Sequence, residues 1–186
     1  MDGAEAAPFG HHRGMDEETA LRPVREDDLD VLESLTEDQG AAGEYGWFGW
    51  WDLGRFRRRW AENRMLGEDG GMLMVVAGDE RLGFVSWWRR TSGPRSHCWN
   101  MGIALLPAAR GRGHGTRAHL LTARYLFAHT TLHRVEACTD VANVAERKAL
   151  EKAGFLREGV TRGAIWRDGE WRDDVVYGLL RTDPLP

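Results

Sequence analysis

The stretch "HCWNMGIALLPAARGRGHGTRAHLLTARYLFAHTTLHRVEACT", His97 to Thr139, limits the fold more than any other part of the chain. An apolar strand ends at Pro107, a glycine-rich turn follows, and a helix runs from about Gly113 to His129. "HRVEACT" then reads as another strand. Two strands joined through a helix of that length pair in parallel by a crossover, and such crossovers are right-handed. A second helix, "DVANVAERKALEKAG", and a further strand extend the run to β-α-β-α-β. Asp140 or Asn143 suits the start of that helix, and Gly154 sits where a C-terminal glycine stop belongs.

The flanking segments add hairpins and two earlier helices. "TALRPV" (19–24) reads as a short strand. "REDDLDVLESL" sets Leu29, Leu32 and Leu35 at helical spacing behind a first turn of acids. "LGRFRRRWAENRML" puts Leu53, Phe56 and Trp60 on one helical face. "GMLMVVAG" and "RLGFVSWWRR" form a hairpin across "DE". "FLREGVTRGAIWRDGEWRDDVVYGLLR" is a long hairpin turning at Asp168-Gly169, with Trp166 and Trp171 as a cross-strand pair. The order β, α, α, β, β, β, α, β, α, β, β predicts one mixed α/β (α+β) domain over residues 19–182. It has about seven strands and four helices, behind a disordered tail at 1–18.

Composition removes several function classes. The net charge of −4 argues against a general nucleic-acid binder. Lys148 and Lys152 are the only lysines, so the positive charge is almost all arginine and an isolated arginine carries little information. Cys98 and Cys138 lie far apart in apolar segments and read as free thiols in a reducing compartment, with no metal site. No apolar run is long enough to span a membrane, and "MDGAEAAPFGHHRGMDEE" has no signal-peptide core. A cytoplasmic protein without membrane or nucleic-acid partners is the expectation, with His11 and His12 as solvated tail histidines.

Arg110-Gly111-Arg112-Gly113-His114-Gly115-Thr116 joins a strand to a helix. A helix start offers free N–H groups and a positive dipole end, and glycines let the backbone approach an anion closely. The segment lacks the Gly-Lys-Ser/Thr of a nucleotide P-loop and the spacing of a dinucleotide fingerprint. Taken alone, it is either a phosphate seat or a surface turn.

Its setting adds a resemblance. Arg110-x-x-Gly113-x-Gly115, after a strand ending in "LLP" and before an amphipathic helix, resembles the coenzyme A pyrophosphate loop of the GNAT superfamily of acyl-CoA-dependent N-acyltransferases. "HRVEACTDVANVAERKALEKAGFLREGV" is similar to the second half of that family's core, closest to the ribosomal-protein-type branch. Members of that branch acetylate protein N-termini, antibiotics and small amines. The resemblance implies a GNAT-like sheet with a V-shaped splay, acetyl-CoA as the acyl carrier, and subunits that commonly pair as homodimers. It places the pantetheine arm on the backbone of Ile103, Ala104 and Leu105, with a main-chain N–H near Ile103 polarising the thioester carbonyl. The pyrophosphate falls to Arg110 through Thr116, mainly to the N–H groups of Arg112, Gly113, Gly115 and Thr116. Asn143 either touches the pantetheine arm or caps its helix. Lys148 either reaches the nucleotide phosphates or is an exposed helix lysine.

Acyl transfer to an amine needs a proton acceptor. Where many family members carry a tyrosine acid, this chain has Leu150, and where some carry a glutamate base it has Asn100. Glu146 stands where the branch often has serine, and is either a proton acceptor or a solvated helix residue. In "GEYGWFGWWD", Glu44, Tyr45, Trp47, Trp51 and Asp52 are candidates for an aromatic-walled amine pocket; the alternative is a lid folded onto the core. Trp87 and Trp88 must point to opposite faces, and Trp87 is assigned to the acceptor pocket. The expected function is acetyl transfer to a primary amine, a protein N-terminus or a small molecule, by direct attack in a ternary complex. An antibiotic- or polyamine-modifying enzyme and a non-catalytic acyl-CoA sensor are the alternatives.

Overall fold

The computed structural model describes residues 18–186. The expectations for the tail, His11 and His12 included, lie outside the described residues. Eight strands form one sheet: β1 (Thr19–Pro23), β2 (Leu66–Gly67), β3 (Gly70–Ala77), β4 (Glu80–Gly93), β5 (Ser96–Leu105), β6 (Arg134–Asp140), β7 (Leu156–Arg167) and β8 (Glu170–Leu180). Their order is β1-β3-β4-β5-β6-β8-β7, with β2 paired to β3. Only β5 and β6 pair in parallel, across the crossover that the sequence predicts. The helices are α1 (Leu29–Glu37), α2 (Gln39–Ala42), α3 (Gly54–Asn63), α4 (His114–His129) and α5 (Val144–Lys152). The count exceeds the expected seven strands and four helices by β2 and α2. Both are too short for a periodic pattern to reveal.

Alternation along the strands divides the core in two. One face carries α4 and α5, with Trp87, Met101, Ala118, Leu126, Val135 and Tyr177 among its buried residues. The other carries α1 and α3, with Leu29, Leu32, Leu35, Phe56, Met74 and Phe84. A fully buried leucine such as Leu32 or Leu126 contributes about 1.5–3 kcal/mol by burial. Among the described helices, α1 and α3 cover only the β1–β3–β4 side of their face. On the β6–β8 part of that face the segment after α2 takes over, with Tyr45 and Phe48 packed on Arg167.

Local signals hold at two element ends and fail at one. Asp168 and Gly169 both adopt positive φ (51° and 82°), and the rings of Trp166 and Trp171 lie 5.4 Å apart across that hairpin. Asn143 caps α5, its side chain accepting from Glu146 N–H at 3.2 Å. The sequence carries α3 on through Leu66, yet the helix stops at Asn63. Arg64 and Met65 turn left-handed without any glycine (φ 54° and 65°). Met65 is completely buried in the α1–α3 core, and its carbonyl accepts from Met72 N–H at 2.9 Å. Tertiary packing imposes that turn.

Candidate active site

β5 and β6 pair only from Trp99 to Met101, against Val135 to Ala137. Beyond those residues β5 stays with β4 up to Leu105, and β6 stays with β8 up to Asp140. The two strands therefore part, leaving a V-shaped gap. Leu106 N–H donates to Leu82 O at 2.8 Å, so antiparallel alternation turns the N–H and C=O of Ile103 and Leu105 away from β4 and into the gap. Ala104 differs from the expectation: by the same alternation its polar backbone groups face β4.

The glycine turn closes the wide end of this gap. Gly111 and Gly113 have φ of +73° and +86°, and a Cβ on either would meet nothing within 4 Å. They are required for conformation, not for room. Gly113 is the N-cap of the 16-residue α4, which has no side-chain cap. The first helical bond runs from Arg117 N–H to Gly113 O, so the N–H groups of His114, Gly115 and Thr116 lack intrahelical partners. Those amides, at the positive end of the helix dipole, form a cradle that fits a pyrophosphate.

Two side chains expected at this loop are committed elsewhere. Arg110 donates from Nε to Leu105 O (2.9 Å) and from Nη2 to Ala41 O (2.6 Å). His114 is buried, with Nδ1 2.8 Å from Thr19 Oγ1. Both tie the loop to the domain, and the main-chain amides at the start of α4 stay open. Arg112 is exposed, as is Lys148 on α5.

Residues 41–45 form a strap across the mouth of the gap. Ala41 O is held by Arg110 on the β5 side, and Tyr45 OH donates to Ala142 O at 3.2 Å on the β6 side. Arg167 donates to Tyr45 O (2.9 Å) and pairs with Asp140 (2.9 Å), while its guanidinium lies over the rings of Tyr45 and Phe48. The aromatics after the strap do not fold over the core. Trp47 and Trp50 meet edge to face at 6.1 Å, and Trp50 is 87% exposed. Glu44 and Trp51 are also exposed. Asp52 organises the start of α3, accepting from Gly54 N–H and pairing with Arg58.

Trp87 requires a correction. It is buried beneath α4, with Tyr125 at 5.7 Å, and belongs to the core. Trp88 is the residue at the cleft. Its ring lies 3.7 Å from where a Cβ on Gly102 would stand, at the first residue beyond the parallel pairing.

Three carboxylates flank the gap, one on the α4–α5 face and two on the other. Glu146, on the α4–α5 side, meets the wholly buried His119 Nε2 at 2.7 Å, and His119 Nδ1 has no hydrogen-bond partner. Asn143 is used at both ends, capping α5 and donating to Thr139 Oγ1 at 3.0 Å. On the other face Asp140 and Asp174 are cross-strand partners on β6 and β8. Asp140 is neutralised by Arg167, whereas Asp174 Oδ1 is buried without a hydrogen-bond partner. Burial first, and then the Asp140 charge, push the Asp174 carboxyl up to about 6. Asn100 is buried with its amide 3.6 Å from Cys138 Sγ, and Leu150 is in the core.

Residues 19–156 match the family model described as an acetyltransferase (GNAT) domain. The chain belongs to the GNAT acetyltransferase family. A probable N-acetyltransferase, YjcK, from Bacillus subtilis is 36% identical over 111 residues, 59% of this chain and 61% of that protein. The match thus spans somewhat less than two thirds of that relative. The [ribosomal protein uS5]-alanine N-acetyltransferase of Escherichia coli is 28% identical over 90 residues, 48% of this chain and 46% of that protein. Among solved structures, the spermidine N-acetyltransferase of Vibrio cholerae, in complex with CoA and spermine, superposes with a TM-score of 0.77 at 17% identity. It covers 89% of this chain and 96% of its own. That likeness establishes the GNAT fold, in which the gap between β5 and β6 is the splay expected from the sequence. No described helix of this GNAT domain is long and apolar enough to cross a membrane, and no described His/Cys/Asp/Glu group could hold a metal.

Three residues of this site escaped the sequence reading. Asp174 had a signal in the alternation of "WRDDVVYGLL", where it falls on the face opposite Val175 and Tyr177. Trp88 was one of two options separated only by the phase of β4. His119 had none, since a histidine amid the apolar residues of α4 looks like any core-facing position.

Proposed function

We propose that the protein is an acetyl-CoA-dependent N-acetyltransferase that transfers the acetyl group to a primary amine by direct attack in a ternary complex. The observation that carries this reading is the gap between β5 and β6, with the Ile103 amide turned into it and the open amides of α4 at its end. In this reading the pyrophosphate rests on the N–H groups around Gly113 to Thr116, and the pantetheine arm lies along Ile103 and Leu105. Ile103 N–H donates to the thioester carbonyl oxygen, where negative charge develops. The amine enters from the opposite face, past Trp88. Its proton passes to Asp174, through a water where the two do not touch. The nitrogen lone pair then bonds to the carbonyl carbon, the C–S bond breaks, and the CoA thiolate that leaves takes up the second proton from the nitrogen, giving the neutral amide and free thiol. A carboxyl held near about 6 is ionised at neutral pH and still basic enough to accept a proton there. Glu146, turned toward His119, positions α5 against α4 on the cofactor side.

The acceptor is a peptide N-terminus or a small amine, in line with the ribosomal-protein and spermidine acetyltransferases among the similar proteins. A thiol-release assay with acetyl-CoA and an amine panel tests the reading, with CoA binding followed by calorimetry. Turnover of at least one amine is expected. CoA binding without turnover of any amine would favour an acyl-CoA sensor instead.

A further inference from the structure

A groove of about 610 Å³ runs between α3 and the β3–β4 pair on the acceptor face. Phe84, Ser86 and Trp88 of β4 form its floor, while Arg55, Arg59 and Asn63 line its α3 side. It opens toward the splay, because Ser86 is the cross-strand partner of Gly102 and the Trp88 ring lies over that same glycine.

Among the described residues, the cations of this groove lack carboxylate partners. Of the four arginines in "GRFRRRW", Arg57 and Arg58 are exposed and paired, with Glu33 and Asp52. Arg55 and Arg59 stand one helical turn apart, flank the buried Phe56, and are themselves half-buried. Arg59 makes no hydrogen bond, ion pair or ring contact among the described residues. Among the described residues, the Arg55 side chain meets the rings of Trp51 and Phe56, at 4.9 and 4.7 Å, and makes no ion pair. Burial holds the Arg55 guanidinium below its ordinary range, opposed only by Asp52, which is already paired with Arg58. Among the described residues two acids reach the groove, Glu68 and Asp69, both exposed on the turn between β2 and β3, and Asp69 pairs with Arg89 at 3.3 Å. Asn63 Oδ1 is buried and accepts no hydrogen bond, leaving a place for a donor such as a peptide N–H.

Resting on the acetyltransferase reading, we propose that this groove holds the body of the acceptor and that Arg55 and Arg59 select an acidic amino-terminal peptide over a polyamine. The amine lies past Trp88 at the splay, and side-chain carboxylates of the following residues lie against the two guanidiniums. Arginine suits that task because its fork meets a carboxylate with two parallel hydrogen bonds. A polyamine would instead set its second ammonium against two half-buried like charges, which is unfavourable.

Thiol release from acetyl-CoA, measured with three peptides of equal length and with spermine, tests the assignment. The peptides share a free N-terminal alanine and carry acidic, neutral amide or lysine side chains at the next two positions. The acidic peptide is expected to exceed the neutral one in kcat/KM by about tenfold or more, with the lysine peptide and spermine below both. Arg59→Glu is expected to abolish that preference without changing the KM for acetyl-CoA, and Arg59→Lys to keep part of it. Equal rates for acidic and neutral peptides, or spermine as the best acceptor, would overturn the assignment while leaving acetyl transfer intact. If no amine is turned over, the transfer reading itself fails. Fluorescence anisotropy of the labelled acidic and neutral peptides with the CoA-bound protein then decides the groove alone, equal affinities overturning it.

Discussion

Replacing Asp174 with asparagine separates a catalytic carboxylate from a merely structural one. The side chain is 8% exposed, its Oδ1 has no hydrogen-bond partner, and it faces Asp140, Arg167, Arg90 and Cys138. Burial and Asp140 lift its carboxyl from an ordinary value near 3.8 to about 6, against the opposing pull of Arg167 and Arg90. As pH rises from about 4, the unfolded chain releases this proton before the folded one does. The folded state then binds more protons, so stability falls with rising pH until the folded carboxyl ionises near 6, and is flat above. At about 1.36 kcal/mol per pH unit, that rise corresponds to a ceiling of about 3 kcal/mol. The side-chain amide of the variant bears no charge at any pH. Asp174→Asn is therefore expected to match the wild type near about pH 4 and to gain up to about 3 kcal/mol at about pH 7.5. For a chain of this length each kcal/mol moves the Tm by about 2–4 °C. Thermal unfolding followed from about pH 4 to about pH 8 measures the difference directly. Activity moves the opposite way: kcat/KM loses its acid limb near about pH 6 and falls by about 10²–10⁴-fold at neutral pH. Parallel Tm curves for the two proteins, or a retained acid limb in the variant, would refute the assignment.

Three further outcomes follow from the geometry. Ile103→Pro removes an N–H that β4 does not use, so circular dichroism should be unchanged while kcat falls by about 10²–10³-fold, the scale of losing one oxyanion donor. Gly113→Ala forces a left-handed residue at φ +86°, at a cost of about 1–2 kcal/mol, and should raise the KM for acetyl-CoA more than that for the amine in steady-state kinetics. Arg167→Leu leaves Asp140 buried without its cation, and urea unfolding should show a loss of about 3–5 kcal/mol.

Much of the strand, turn and helix frame around β5 and α4 was legible in the chain itself. The strand, proline, glycine turn and helix from His97 to His129 require a right-handed crossover and an open helix start. The chemistry at that start belongs to backbone amides, which sequence spacing can place. Asp168-Gly169 and Asn143 were equally readable, because turn geometry and helix capping depend on residues within a few positions. The acceptor side was not. Trp87 and Trp88 are chemically alike, and only the register of β4 against β3 and β5 decides that Trp87 is core and Trp88 lies at the splay. Asp52 looked like an amine-binding acid until the start of α3 and Arg58 claimed it. Asp140 and Arg167 are 27 positions apart, and a hairpin separates Arg167 from Asp174, yet all three share one buried cluster whose charge balance no local pattern encodes. Local propensity and spacing determined the scaffold and the open helix start after the glycine turn, where each interaction spans a few residues. Strand register and long-range packing determined which carboxylate is buried without a partner and which tryptophan lies at the splay, because burial and charge pairing exist only once distant segments meet.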